Sequence, residues 1–186
     1  MLRRGRPAAF LSVTASDGSG IAMQALLTFA AQRESAIGYM GLPAPAVALP
    51  EDCAPFFVED FAPRATRQFE GRFAGGAWPV SNAKCPEYLL WLRHKDEKAR
   101  NHATSVIALA DVPPPGALTM FPKPAPLSTM TWSLDLLASE FAGTDWHLVR
   151  MSAEAVSGGF SCQSMTLWDS QARPVLTSRQ SVAIYV

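Results

Sequence analysis

The feature that most constrains the fold is a short segment, residues 106–110 (VIALA), in which every side chain is apolar. Thr104 or Ser105 just before it can cap the first turn of a helix. The helix must end near Asp111, because Val112 precedes a proline and is pushed out of helical geometry. A helix that is apolar on all sides is stable only when other elements surround it. The rest of the chain therefore has to supply a layer that wraps this helix.

Extended segments before and after the helix can supply that layer. Each is rich in branched or aromatic residues and is bounded by turn-forming residues. They are residues 67–78, 88–94, 128–137, 147–156, 160–168 and 175–186. The turns at 157–159 and 169–172 are short, and short connections between consecutive strands require antiparallel pairing. We therefore predict an α+β fold in which an antiparallel sheet wraps around one central helix.

The first forty residues are predicted to form a β-hairpin of their own. Residues 7–15 and 21–31 are apolar segments of matched length on either side of the turn signal Asp17-Gly18-Ser19-Gly20. The second segment could also be helical by its periodicity, but the matched lengths favour a strand. Residues 41–66 contain five prolines, which exclude a helix or a central strand. We expect a linker there, followed by a domain at residues 67–186.

Charge and composition exclude several functions. The 16 basic and 16 acidic side chains cancel, so no net field attracts nucleic acid or an anionic membrane. No apolar run approaches the roughly 18 residues that a membrane helix needs. Neither the three cysteines nor the three histidines show a metal-binding or disulfide spacing. We expect a cytoplasmic protein that uses no metal and no other cofactor.

Two polar residues occupy positions that favour a function. Asp111 ends the apolar helix, where the negative end of the helix dipole disfavours its charge. A functional carboxylate and a simple cap of the following turn explain this residue equally well. Gln180 shares a face of the last strand with Leu176 and Val182, and an amide on an apolar face must find hydrogen bonds. A bulge near Arg179 could instead turn Gln180 to solvent.

The strand at residues 128–137 alternates between two kinds of side chain. Met130, Trp132, Leu134 and Leu136 share one face, and Thr129, Thr131, Ser133 and Asp135 share the other. On this alternation alone, the apolar face belongs to the core and Thr129 is exposed to solvent.

Several short motifs, in this order and spacing, resemble the medium-chain acyl-CoA thioesterase II family and its thioesterase-like relatives. The motifs are Ile107-Ala108-Leu109-Ala110-Asp111, Ser128-Thr129-Met130-Thr131-Trp132-Ser133, Gly159-Phe160 after the strand that follows Trp146, and Thr177-Ser178-Arg179-Gln180. Members of that family are double hot-dog proteins. The resemblance implies that residues 67–186 are a complete second hot dog. It also implies that residues 1–40, from Arg4-Gly5-Arg6 onwards, are the terminal hairpin of a partial first one.

The resemblance also implies an activity and three site residues. In the family an Asp, a Thr and a Gln jointly hold a water that attacks a thioester carbonyl, and the matching positions are Asp111, Thr129 and Gln180. The carboxylate would act as general base, while the neutral Thr and Gln orient the water without competing for its proton. The implied partner is an acyl-CoA or a related thioester. Arg93, Lys95 and Arg150 are the basic residues available for CoA, and no sequence argument chooses among them.

Other functions remain open on the sequence. A non-catalytic protein that binds acyl thioesters or assembles into oligomers is the main alternative. The strand edges of a partial first module should pair with the second domain or with another subunit, and we expect a homo-oligomer. A hot-dog hydratase would need a His after the helix, where residues 115 and 116 are Pro and Gly. A serine hydrolase would need a GxSxG turn between a strand and a helix, which the chain lacks.

Overall fold

The computed structural model describes residues 1–57, 63–141 and 145–186, and these divide into two compact units at residues 40 and 41. The first unit is a three-stranded antiparallel sheet. Its strands are β1 (Arg3–Arg4), β2 (Ala8–Asp17) and β3 (Gly20–Ala30). The segment that could also have been helical is thus a strand, as the matched lengths indicated. Asp17 accepts hydrogen bonds from the amide and the hydroxyl of Ser19 and so stabilises the turn.

One face of the hairpin is wholly apolar. Cross-strand pairs such as Leu11 with Leu27 and Ala9 with Phe29 lie on this face. Leu27 and Phe29 are exposed in spite of their apolar side chains. The hairpin therefore exposes apolar side chains within the first unit.

In its described residues, the second unit (41–186) is a seven-stranded sheet wrapped on one α-helix. Its strands are β4 (Ala54–Pro55), β5 (Phe69–Gly76), β6 (Glu87–His94), β7 (Leu127–Leu136), β8 (His147–Ser157), β9 (Phe160–Trp168) and β10 (Pro174–Ile184). Every neighbouring pair is antiparallel, in the order β4-β5-β6-β8-β9-β10-β7. Gly158 and Gly159 form the tight turn between β8 and β9 with φ of 59° and 83°, a conformation that glycine adopts without strain. The predicted α+β class is confirmed.

The helix α1 (Ala103–Asp111) lies against the inner face of this sheet. Val106 and Leu109 are each 1% exposed and belong to the main hydrophobic cluster. The first turn differs from the prediction, which placed the cap at Thr104 or Ser105. The cap residue is His102, two residues before Thr104, and the Ser105 hydroxyl instead exchanges hydrogen bonds with the backbone of His102. Ser105 therefore stabilises the helix start from inside the first turn.

The Pro-rich segment, for which we predicted a linker at residues 41–66, is irregular apart from short pieces. Its first part packs on the sheet of the second unit, because the indoles of Trp168 and Trp91 donate hydrogen bonds to the carbonyls of Leu42 and Ala48. Residues 58–62 of the expected linker lie outside the described residues. The assignment of residues 1–40 to a partial first hot dog and of 67–186 to a complete second one stays a prediction. Across the described residues, no helix is both long enough and apolar enough to cross a membrane.

Candidate active site

Two of the three predicted site residues meet on the inner face of the sheet. The Gln180 amide Nε2 donates a hydrogen bond of 2.8 Å to the Thr129 hydroxyl. Gln180 lies on β10 and is half-buried, while Thr129 lies on the edge strand β7 and is exposed. An amide on the inner face must find a hydrogen bond, and Gln180 finds it at Thr129.

A β-bulge explains why Thr129 faces Gln180 rather than the opposite side of the sheet. Ser181 pairs with Thr131 and Val182 pairs with Thr129, so Met130 has no residue opposite it. One extra residue in a strand exchanges the faces of the residues beyond it. The alternation predicted for this strand is therefore wrong at its start. Met130, expected in the core beside Trp132, is 57% exposed.

The neighbours of Gln180 make this part of the inner face a boundary between core and solvent. Trp132 of β7 lies directly opposite Gln180 and packs against the hydrophobic cluster. On the other side, Gln163 of β9 lies opposite Gln180. Leu176 and Val182, which share the face of Gln180, are fully buried. The predicted inward orientation of Gln180 agrees with this register.

Asp111, the third predicted residue, is the last residue of α1 and is exposed. Within residues 1–57, 63–141 and 145–186, its carboxylate forms no hydrogen bond or ion pair, and this includes Thr129 and Gln180. Its side chain is therefore free to accept a hydrogen bond from a ligand or water. Asp111 is thus not linked to Thr129 or Gln180 by a hydrogen bond in the described residues.

The chain after Asp111 is anchored beside these residues. Tyr88, whose pKa burial raises well above its usual range, donates its hydroxyl to the Pro114 carbonyl. Gly116 then lies so close to the backbone of β8 that an added Cβ would be 2.9 Å from the Ala153 nitrogen. Ala153 is opposite Gln163, which in turn is opposite Gln180. With strands about 4.8 Å apart, Ala153 lies roughly 10 Å from Gln180.

Sequence reasoning missed two polar residues in the same row, Ser161 and Gln163 of β9. They share the inner face with Met165 and Leu167 and are 2% and 1% exposed. Gln163 Nε2 donates to the Ser161 hydroxyl at 2.6 Å, whereas Gln163 Oε1 has no partner among the described residues. A buried acceptor without a donor costs about 1–3 kcal/mol. The period-two test that singled out Gln180 would have found Gln163 as well.

Two of the three basic residues considered for CoA lie on the other face of the sheet. Arg93 and Arg150 alternate with the inward-facing Leu92 and Val149. Arg93 is also occupied, since it forms ion pairs of 2.6 Å with Glu70 and 2.8 Å with Asp145. Hydrogen bonds from Arg93 and Arg72 lower the pKa of the Glu70 carboxyl against the opposing effect of burial. The ion pair between Glu70 and Arg93 therefore links β5 to β6 on the outer face of the sheet.

Lys95 is the third basic residue and lies elsewhere. It is exposed and lines a cavity of about 280 Å³ beside β5, with Phe57, Arg67 and Phe69 among its neighbours. Strand β5 is next to one edge of the sheet and β7 forms the other edge. The cavity therefore lies near the opposite edge of the sheet from Thr129 and Gln180.

Comparison with known proteins identifies the family. Residues 50–184 match the acyl-CoA thioesterase C-terminal domain family, and the chain belongs to that family. The resemblance drawn from the sequence motifs is thereby confirmed. A search of curated protein sequences finds no match.

Solved structures with the same architecture include three that span almost all of this chain. A conserved hot-dog-fold protein from Alicyclobacillus acidocaldarius is 20% identical, with a TM-score of 0.86 over 100% of this chain and 70% of its own. A tesB protein from Mycobacterium avium subspecies paratuberculosis is 18% identical, with a TM-score of 0.77 over 100% and 69%. An acyl-CoA thioesterase II from Mycobacterium marinum is 13% identical, with a TM-score of 0.76 over 99% and 71%. At these identities the likeness shows the fold, which is the hot-dog fold.

Proposed function

We propose that the protein hydrolyses acyl-CoA or a closely related acyl thioester, with a water held by Asp111, Thr129 and Gln180. The observation that carries this proposal is the hydrogen bond between Gln180 and Thr129 on the inner face of the sheet. Membership of the acyl-CoA thioesterase family supports the same reaction class.

The hydrogen-bonding capacity of the three side chains suits a nucleophilic water. Gln180 donates to Thr129, which leaves the Thr129 hydroxyl proton and the Gln180 carbonyl Oε1 for a water. A water that accepts from Thr129 and donates to Gln180 and Asp111 keeps one lone pair for attack. This arrangement explains why two neutral groups and one carboxylate suffice.

The reaction then needs one proton carrier. The water oxygen attacks the carbonyl carbon of the thioester while Asp111 accepts the proton. The tetrahedral intermediate collapses with cleavage of the carbon–sulfur bond. The thiolate leaves as CoA thiol after it takes the proton from Asp111, and the acyl group leaves as a carboxylic acid. Asp111 is regenerated as a carboxylate, so the proposed reaction requires no cofactor.

The test is release of free thiol from acyl-CoAs of graded chain length by the whole chain. Asp111→Asn should lower kcat by roughly 10²–10⁴-fold, the usual contribution of a general base. Asp135→Asn is the matched control, because Asp135 is an exposed carboxylate on β7 whose strand partner is Thr177. A full rate in the Asp111 variant would exclude the proposed mechanism.

A second candidate is a protein of the same fold that binds acyl thioesters without hydrolysing them. The observation in its favour is that Asp111 forms no hydrogen bond with Thr129 or Gln180 in the described part of the chain. Tight binding of an acyl-CoA together with no thiol release would favour this candidate. Saturable release of thiol that depends on Asp111 would exclude it.

We also propose that the protein works in the cytoplasm as a homo-oligomer. The free thiols of Cys53, Cys85 and Cys162 support a reducing compartment. The exposed apolar side chains on one face of the hairpin, such as Leu27 and Phe29, support a partner surface. Light scattering on the purified chain measures the oligomeric state, and a monomer at all concentrations would contradict this part of the proposal.

A further inference from the structure

Strand β9 places a polar pair in the middle of an apolar face. Ser161 and Gln163 precede Met165 and Leu167 on the inner side, and the latter two belong to the hydrophobic cluster. Gln163 is 1% exposed. A methionine has nearly the same length and would fill this position without a polar atom to satisfy. Packing alone therefore does not explain the glutamine.

The hydrogen bonds of Gln163 are only half complete. Its Nε2 donates to the Ser161 hydroxyl, while its Oε1 has no donor in the part of the chain that the structure describes. Buried amide oxygens in proteins almost always have a partner, so one without a donor marks a position where something else binds. The missing partner must carry an N–H or an O–H group.

The position of Gln163 identifies where that partner lies. Gln163 is directly opposite Gln180 across β9 and β10. Directly opposite residues have Cβ atoms about 4.5–5.5 Å apart and share a face. Gln163 is therefore the inner-face neighbour of Gln180, whose amide is hydrogen-bonded to Thr129.

We propose that Gln163 Oε1 accepts a hydrogen bond from an N–H or O–H group of the bound thioester, next to the reacting carbonyl, and so selects substrates that carry such a donor. This inference rests on the proposed function, which assigns the thioester carbonyl to the neighbourhood of Gln180. Two parts of an acyl-CoA offer a donor close to the thioester. One is the amide of the pantetheine arm, and the other is a hydroxyl group on the acyl chain.

Selection follows from the burial of the acceptor. A substrate with a donor at the right place completes the hydrogen bonds of Gln163, whereas a substrate without one leaves the buried oxygen unpaired. Sites built in this way discriminate strongly against the analogue that lacks the donor. Gln163 is thus a specificity residue, distinct from the three residues that hold the water.

The experiment compares kcat/KM for three thioesters of the same chain length. They are an unsubstituted acyl-CoA, its 3-hydroxyacyl-CoA counterpart and the S-acyl thioester of ethanethiol, which has no amide. The variant is Gln163→Met, with Gln171→Met as the matched control because Gln171 is exposed in the turn between β9 and β10. Gln163→Leu is a second variant in case the first does not fold.

The expected results distinguish the two donors. If the pantetheine amide is the partner, Gln163→Met lowers kcat/KM about 10- to 100-fold for both CoA esters and leaves the ethanethiol ester unchanged. If the acyl hydroxyl is the partner, only the 3-hydroxyacyl-CoA is affected. An equal change for all three substrates, or no change for any, would overturn the inference.

Two further measurements separate this inference from folding and from the proposed function. Thermal unfolding should show a Tm for Gln163→Met that is equal to or above that of the unchanged chain, because an unpaired buried oxygen is removed. Calorimetry with non-hydrolysable thioether analogues of the two CoA esters gives the same comparison as a ratio of Kd values. Binding of the analogues without any turnover of the thioesters would refute the proposed hydrolase activity, and the Kd values would still test Gln163. A ratio of Kd values that is the same in Gln163→Met and in the unchanged chain would refute the role of Gln163.

Discussion

Gln180 and Thr129 are joined by a hydrogen bond of 2.8 Å across β10 and β7, although simple alternation along β7 would turn Thr129 to the other face. The unpaired residue Met130 resolves this conflict, because it shifts the register between Ser181 and Val182. The hydrogen bond therefore depends on the pairing of β7 with β10. Substitutions at Thr129 and Gln180 test the proposed site most directly.

The first prediction concerns the coupling of these two residues. Thr129→Val and Gln180→Met should each lower kcat/KM for an acyl-CoA by roughly 10²-fold, and the double variant should fall little further, because residues that act as a unit are not additive. Thiol release measures all three. Thr131→Val is the control, since Thr131 is exposed on β7 and has Ser181 opposite it. Losses that simply multiply would show that the two residues act independently.

The second prediction concerns the close approach after Asp111. An added Cβ at Gly116 would be 2.7 Å from the Pro86 carbonyl oxygen and 2.9 Å from the Ala153 nitrogen, and backbone atoms cannot move aside easily. Gly116→Ala should therefore lower the free energy of unfolding by about 1–3 kcal/mol. Urea denaturation measures it.

The control for Gly116 is Gly18→Ala in the turn of the first unit. A Cβ at Gly18 would meet nothing within 4 Å. Its substitution should change stability by less than about 0.5 kcal/mol, as is usual for exposed positions. Equal effects at the two glycines would contradict the close packing of Gly116 on β8.

The third prediction concerns pH. Burial lowers the pKa of His147 to about 4, partly opposed by the charge of Asp169 and reinforced by His94. In the unfolded chain an imidazole titrates near pH 6.5, so below that pH the unfolded state binds more protons. The free energy of unfolding should therefore fall as the pH drops from about 6.5 to 4, by up to about 3 kcal/mol from this residue.

Urea denaturation at several pH values between 7 and 4.5 measures this effect. His147→Gln should reduce the slope of stability against pH in that window, because the amide does not titrate. An unchanged slope in the variant would assign the acid sensitivity to other groups.

The fourth prediction concerns the helix. Leu109 is 1% exposed in the main cluster, so Leu109→Ala should lower the free energy of unfolding by about 2–5 kcal/mol. Ile107 is half-buried on the same helix, and Ile107→Ala should cost less. Denaturation of both variants under the same conditions measures the difference. A larger loss at Ile107 would contradict the packing of α1 on the sheet.

Much of the fold followed from local sequence signals. The apolar helix, the glycine turn between β8 and β9, and the alternating strands were predicted within one or two residues, because periodicity and turn residues act over short distances. The capping of α1 was not, because the Ser105 hydroxyl exchanges hydrogen bonds with the backbone of His102 from inside the first turn. This capping arrangement depends on the conformation of the turn before the helix, which the residue types alone do not reveal.

The candidate site was less accessible to the same reasoning. The inward face of Gln180 follows from period-two counting in β10, but the orientation of Thr129 follows from a bulge that exists only when β7 pairs with β10. Period-two counting in β9 also places Gln163 inward, but its position opposite Gln180 and its unpaired oxygen follow only from the folded structure. The roles of Asp111, Thr129 and Gln180 in hydrolysis stay predictions for the experiments above.

The bulge at Met130 also determines which kinds of change β7 can accept. The side chain of Met130 is largely exposed, so replacing it with another residue should be tolerated. Deleting it, or inserting one residue between Thr129 and Trp132, would exchange the faces of the first residues of the strand and turn Thr129 away from Gln180. A mutational scan should therefore find position 130 permissive to substitution and intolerant of deletion or of an inserted neighbour.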